Sequence, residues 1–502
     1  MDNLQLIQWS AAITALLFWT AFGGICGSFI NVLVYRLPRG LNVVTPPSAC
    51  PACGTHLRWF DNVPVLGWIA LGGKCRYCRT RISPEYPIVE LVVALLFGGM
   101  WAVWFMHPSL TDLVGIRQTF WRPDFAVEGI WRMWPMFMVM LALVASLVAA
   151  TLIDARTFTI PLVIPWFATA VGIITHPLHA AWIQYTGGLH LNPHAWTIPF
   201  RPAGGVGLAL GGAAGIALSI ALLRLRILPQ SFADYPEWEE KAFEAERAAD
   251  AAPRDESATP PPATTPSLRL VLTRTLLLTG PAVAFMFAGF TLGLPRDRAL
   301  AYATIGAGFG LILGLILRRM APDQGAGPSD EPIWSHYPNT RREIWKEIAF
   351  CLPAVLLAAI GWWLTTPTGP LGHATFNSPL WLHALSGSLF GYLVGGGIVW
   401  VFRIGGSLVL GKEAMGLGDV HLMAAVGACL GWIDPLLAFF TAPFLGIGWA
   451  VLSVFFRQVF HRKGTALPYG PHLAAATLMV ILLKPAFESA LSIIMARPVN
   501  IP

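Results

Sequence analysis

Two carboxylates stand where an apolar stretch meets a polar one. Asp154 lies in "LVAATLIDARTFTIPLVIPW", where one hydrophobic run ends and another begins a few residues later; Asp419 lies in "GLGDVHLMAAVGACLGW", behind Gly416 and Gly418. An ionised carboxylate is costly near lipid, and two held close together relieve that cost by sharing a proton, which pushes their apparent pKa values apart. Such a pair suits general acid–base work, one member taking a proton from water while the other, protonated, polarises a peptide carbonyl. Gly416 and Gly418 would allow a turn and close approach by a substrate backbone. The residues alone leave three readings open: aspartic proteolysis, an ion or proton relay, and helix capping.

A second constellation is "CPACGTHLRWFDNVPVLGWIALGGKCRYC", in which Cys50 with Cys53 and Cys75 with Cys78 form two C-x-x-C knuckles. Four thiolates at this spacing can close a tetrahedral site, whereas a lone C-x-x-C could be a redox dithiol and a secreted chain could use all four in disulfides. A short basic loop in a reducing compartment favours structural zinc in a zinc-ribbon-like loop. With four protein ligands the metal has no open position, so it folds the loop rather than performing catalysis. Cys26, Cys351 and Cys429 sit in apolar runs and are expected to pack.

The elements that must position these groups are membrane helices. Of the 502 residues, 55% are hydrophobic and only 12% charged, about half the charged share of soluble domains. Windows of about 20 apolar residues can cross the hydrocarbon core. About twelve occur, near 5–30, 87–105, 134–153, 160–182, 203–223, 269–293, 299–317, 347–364, 384–402, 420–437, 438–456 and 470–490. The fold class expected is therefore an all-α polytopic membrane protein of about twelve transmembrane helices with the small four-cysteine loop on the cytoplasmic side. The start, Met-Asp-Asn, lacks a basic n-region and a cleavage motif, which predicts an anchoring first span.

The formal charge of +6 does not imply nucleic acid, because Lys and Arg are spread over the loops. Segment 36–81 carries Arg36, Arg39, Arg58, Lys74, Arg76, Arg79 and Arg81 and is placed in the cytoplasm by the positive-inside rule. Alternation then puts 154–159, 224–268, 318–346, 403–419 and 457–469 on the same side, with Arg117, Arg122 and Arg132 in an external loop as the blemish. Six crossings separate Asp154 from Asp419, an even number, so both carboxylates are expected at the cytoplasmic edge.

Segment 229–267 turns abruptly acidic and Ala-rich, then Pro/Thr-rich, which predicts a surface helix followed by a disordered linker; 321–345 reads the same way. Two Gly-rich runs, from Ala203 and from Leu385, are expected as closely packed helices. The chain divides into a first span (1–35), a cytoplasmic zinc-binding loop (36–86), helices bearing the first aspartate (87–182), an inserted set of helices and linkers (203–383) and helices bearing the G-x-G-D sequence (384–490).

Taken together, "GSFINVLVYRLP", the two knuckles, "DNVPVLGW", "ISPEYPIVELVVALLF", "LIDARTFTIP", "GKEAMGLGDVHLMAAVGACLGW" and "LPYGPHLAAA" resemble the prepilin peptidases, or type IV leader peptidases, of the GxGD class of membrane aspartic proteases. The resemblance implies that Asp154 and Asp419 are the catalytic pair and that Cys50, Cys53, Cys75 and Cys78 hold the zinc. It implies a substrate, a prepilin or pseudopilin, whose short basic leader is cut after Gly at the cytoplasmic face of a bacterial inner membrane. It further implies a second activity, N-methylation of the new N-terminus with S-adenosylmethionine, associated with the cysteine loop, and partners among pilus or secretion assembly proteins. No G-x-G-x-x-G fingerprint marks a site for the methyl donor. The chain departs from the family pattern at His421, where Lys is usual, at Leu162, where Asp is common, and in 203–383, which short members lack. His421 is expected as a membrane-edge anchor, and Glu90 as a substrate contact or packing residue. The alternative from another class is a transporter using Asp154 and Asp419 as a proton relay.

Overall fold

The computed structural model describes residues 3–106, 122–186, 204–251, 337–372, 378–460, 468–496 and 498. Fourteen α-helices run along the described chain: α1 (Asn3–Arg36), α2 (Leu66–Ala70), α3 (Glu85–Phe105), α4 (Asp124–Val127), α5 (Ile130–Thr157), α6 (Val163–Tyr185), α7 (Gly205–Arg224), α8 (Tyr235–Ala251), α9 (Thr340–Thr365), α10 (Leu380–Leu410), α11 (Leu417–Leu430), α12 (Ile433–Phe460), α13 (Tyr469–Leu482) and α14 (Lys484–Met495). Extended pairing among the described residues is limited to two isolated bridges in the cysteine loop.

Among the described residues, eight helices are long and apolar enough to cross a membrane, and α13 with α14 forms a further pair bent by 84°. The chain is thus an all-helical, multi-pass membrane protein. The count of twelve is not reached among the described residues, and the windows 269–293 and 299–317 lie outside them. The window 420–437 is not one span: α11 has 14 residues, about 21 Å of helix against a hydrocarbon core of about 30 Å. It stops at Gly431, whose φ of 93° suits glycine and closes the helix. Hydropathy reads straight through that residue because its neighbours are apolar.

A helix ending inside the bundle leaves carbonyls that lipid cannot satisfy. Two side chains from neighbouring helices meet them. His176 Nε2 of α6 lies 2.9 Å from the Cys429 carbonyl, and Ser388 Oγ of α10 donates to the Ala428 carbonyl at 2.6 Å. Gly391 of α10 and Gly427 of α11 are in backbone contact, and a Cβ on either would overlap the carbonyl of the other. This crossing fixes α11 along α10.

The central core is built from α5, whose buried face carries Met133, Met136, Phe137, Met140, Leu143, Val144 and Leu147, with α3, α6, α11 and α13 against it. Segment 203–383, expected as an insertion, contains α7 and α9, which pack on one another through Gly207, Gly211 and Gly215; a Cβ at Gly207 would overlap the Gly361 carbonyl and one at Gly211 the Leu357 carbonyl. This bears out the expectation of close packing for the first Gly-rich run. α8 matches the surface helix expected at the start of 229–267, while 252–267 lies outside the described residues.

Candidate functional site

Asp154 is the fourth residue from the end of α5, and Asp419 is the third residue of α11; they are 5% and 7% exposed. The two carboxylates interact electrostatically. Neither lies in the middle of a span. The even number of crossings anticipated between them is consistent with this meeting, although two of the windows counted lie outside the described residues.

Capping explains one of them in part. Gly416 is the N-cap of α11, and the Asp419 carboxylate reaches back to the Gly416 backbone N–H, as an acidic N3 residue does in a capping box. Asp154 cannot be explained that way: it sits in the last turn of α5, where the helix dipole opposes negative charge. Its compensation comes from elsewhere. The Gly470 backbone N–H, at the start of α13, donates to it, and a Cβ on Gly470 would overlap the carboxylate.

The two glycines of G-x-G-D have different surroundings. Gly416 has φ −70° and ψ 146°, open to any residue. Gly418 is helical and faces Ile160, so that a Cβ there would stand 2.8 Å from Ile160 Cβ. Ile160 also contacts the site of a Gly470 Cβ at 3.2 Å. The connection that follows Asp154 therefore nests between two glycines, one beside Asp419 and one beside Asp154. Tyr469 belongs to the same cluster, since its phenol feels the charge of Asp419.

Sequence reasoning missed Gly470, Tyr469, Ile160 and Arg403. Arg403, expected in a cytoplasmic loop, is 2% exposed within α10. Its signal was an Arg inside an apolar run, which a membrane helix keeps only with partners. His421 faces the ring of Trp166 of α6 at 6.1 Å. Glu90 of α3 accepts the Val65 backbone N–H at 2.7 Å and so holds the "DNVPVLGW" loop. In that loop Arg76 clasps Asp61 through Nε and Nη2, at 3.0 and 2.6 Å.

The sulfurs of Cys50, Cys53, Cys75 and Cys78 all lie within 4.8 Å of one another. Those of Cys50 and Cys78 are 3.7 Å apart, close to the roughly 3.8 Å edge of a tetrahedron with metal–sulfur bonds of about 2.3 Å. The knuckles repeat one backbone pattern: Cys50 N–H donates to the Thr55 carbonyl and Cys75 N–H to the Thr80 carbonyl, at 3.0 and 2.9 Å. Gly54 and Arg79 take the left-handed position, φ 69° and 59°. Hydrogen bonding from Thr80 pulls the Cys78 thiol down to about 6, and Thr55 lowers Cys53. The Cys50 thiol is shifted the other way, upward, so the lowered pair, Cys53 and Cys78, are the thiols most ready to bind a metal as thiolates. The residues fit a four-sulfur metal centre. The loop is tied to the aspartate-bearing helix by an ion pair between Glu85 of α3 and Arg156 of α5.

Comparison with known proteins adds kinship. Residues 21–104 match the model of the bacterial Peptidase A24 N-terminal domain, and residues 350–451 match that of the type IV leader peptidase family. The first contains the four cysteines and the second contains Asp419; Asp154 lies between them. Over 75 residues the chain is 49% identical to the prepilin leader peptidase/N-methyltransferase of Myxococcus xanthus, covering 15% of this chain and 22% of that protein. It is 37% identical over 126 residues to a protein of the same name from Klebsiella pneumoniae (23% and 54% covered). With the type 4 prepilin-like proteins leader peptide-processing enzyme of Escherichia coli it shares 32% identity over 156 residues (24% and 56% covered). The matched stretches thus span between about a fifth and just over half of these relatives. No solved structure matches the chain. In these two blocks the chain is similar to the type IV leader peptidase family and to relatives named prepilin leader peptidase/N-methyltransferase.

Proposed function

We propose that the chain is a membrane aspartic endopeptidase that removes the leader of a prepilin or pseudopilin, with Asp154 and Asp419 as the catalytic pair. The observation that carries this reading is the meeting of two buried carboxylates at helix ends, far apart in sequence, in a chain similar to this family. The names of the relatives support the substrate class and a second, N-methyltransferase activity. The matching chemistry is short. A pair sharing one proton titrates as a unit. Water attacks the scissile carbonyl carbon as the ionised member takes its proton, while the protonated member donates to the carbonyl oxygen. When the intermediate collapses the C–N bond breaks and the leaving amine receives a proton from the pair.

In this reading the cut follows a Gly at the cytoplasmic face of the inner membrane, and the pilin helix lies among the spans. The bilayer and pilus or secretion assembly proteins are the other partners. Cys50, Cys53, Cys75 and Cys78 would hold zinc, which supplies structural cross-linking of the loop. S-adenosylmethionine is the methyl donor implied by the relatives' names.

The test is co-expression with a prepilin carrying a basic leader ending in Gly, followed by mass measurement of the product. Asp154→Asn and Asp419→Asn are each expected to lower cleavage by on the order of 10²–10⁴-fold while inserting normally. Normal processing by either variant would overturn the assignment.

A further inference from the structure

Arg403 stands at the centre of a buried ion network that the family resemblance does not explain. Its Nε donates to Glu347 Oε2 at 2.9 Å and its Nη2 to Glu347 Oε1 at 2.7 Å, a bidentate pair with side chains 2% and 4% exposed. Trp400 Nε1 donates to the same Glu347 Oε2 at 2.9 Å. The remaining nitrogen, Nη1, donates to the Glu413 carboxylate and to the Met415 carbonyl. Met415 immediately precedes Gly416, the N-cap of α11. One guanidinium therefore grips the segment that leads into Asp419 with one side and a glutamate of α9 with the other.

The partners on the second side come from α9 and from the connection between α7 and α8. Glu347 lies on α9, three residues before the stretch matched to the leader peptidase model begins at 350. Phe232, on the connection between α7 and α8, places its ring 5.5 Å from the guanidinium. That connection is itself docked on α9: Phe232 N–H donates to Glu343 Oε2 at 2.7 Å, and the Tyr337 hydroxyl donates to Asp234 Oδ1 at 2.6 Å. The charge of Arg403 also reaches Asp419.

We propose that Arg403 is a positioning residue through which α9 and the connection between α7 and α8 set the placement and charge environment of Asp419. The inference rests on the proteolytic reading of the Asp154–Asp419 pair for its kinetic consequence, and on geometry alone for the rest. Met415 cannot drift without breaking the grip of Nη1, and Nη1 is fixed because the other edge of the planar fork is held by Glu347. Charged or titratable groups that bear on Asp419 among the described residues are Asp154 of α5, Arg403 of α10, Glu413 of the following segment and Tyr469 of α13. Arg403 supplies the only positive charge among these.

Removing Arg403 alone would strand Glu347 in the interior, so the informative variant replaces both, Arg403→Met with Glu347→Met. Well-packed apolar residues often substitute for a buried pair without loss of stability, and Glu413, with a side chain 26% exposed, can be hydrated. Two readouts are taken on the full chain in detergent. The first is the pH dependence of dicyclohexylcarbodiimide labelling at Asp419, read by peptide mass spectrometry; the reagent attacks protonated carboxyls and needs no substrate. The double variant is expected to label with a midpoint shifted to higher pH, because loss of an opposite charge disfavours the ionised carboxylate. The second is prepilin cleavage, where kcat falls by on the order of tenfold with KM within about twofold. Arg403→Lys keeps the charge and loses the fork, so it restores the labelling midpoint and not kcat. A folded double variant with wild-type labelling and wild-type kcat overturns the proposal. If the double variant does not fold, an Arg403→Lys variant with wild-type kcat overturns it. If the unaltered chain cleaves no prepilin, the proteolytic reading falls, while the labelling shift still decides whether Arg403 acts on Asp419.

Discussion

Ile160 nests against Gly418, with no room for a side chain between the connection that follows Asp154 and the first turn of the helix that carries Asp419. Bringing two carboxylates together at helix ends requires the elements behind them to pack closely, and this is where they do. Gly470 repeats the arrangement from the other side, its N–H on Asp154 and its missing Cβ leaving space for the carboxylate.

Gly470→Ala is accordingly expected to displace the Asp154 carboxylate while leaving the fold standing. Cleavage should fall by at least about tenfold, with a thermal cost in detergent of about 1–3 kcal/mol for overpacking. Parallel assays of melting and leader removal check this. Full activity in a well-folded Gly470→Ala protein would mean that Asp154 has another place to go.

Gly391→Val should be worse for the fold than for the chemistry. Its Cβ would meet the Gly427 carbonyl, so α10 and α11 must separate, at a cost of about 3 kcal/mol or more. The readout is the midpoint of unfolding in detergent, with the same substitution at Gly397, which has open space around it, as the control expected to be neutral.

His176→Phe removes the group that meets the Cys429 carbonyl at the buried end of α11. An orphaned carbonyl costs about 1–3 kcal/mol. Amide exchange across residues 425–431 should quicken relative to α5 in the variant, and unchanged protection there would show that the carbonyl finds another donor.

Cys50→Ser combined with Cys75→Ser should abolish metal binding. Elemental analysis of the purified chain is expected to give one zinc per molecule before the change and none after. Limited proteolysis within 48–81 should accelerate, because the loop has little apolar core to hold it without the metal. Equal zinc in both preparations would remove the ribbon assignment.

The residues that could do chemistry were legible because each was chemically out of place: an acid at the edge of an apolar run, or thiols at knuckle spacing. Long spans were legible for the reason that about 20 apolar residues in a row have few other uses. What escaped was whatever depends on a contact distant in sequence. Arg403 looked like a loop cation because its partner, Glu347, is 56 residues away. α11 looked like a full span, since one glycine with a positive φ, at Gly431, is invisible to hydropathy. The packing of Gly418 escaped for a related cause: nothing local to "GLGD" announces that Ile160 will lie against it.

Exposures of 5% and 7% leave almost none of Asp154 and Asp419 open to solvent. On the proteolytic reading, a polypeptide that reaches them has to displace the residues covering them first, and that work is done against surrounding lipid as well as against protein. Turnover will therefore respond to bilayer thickness and lateral pressure, and reconstitution in short-chain and long-chain lipids at equal substrate density will separate the opening step from hydrolysis itself.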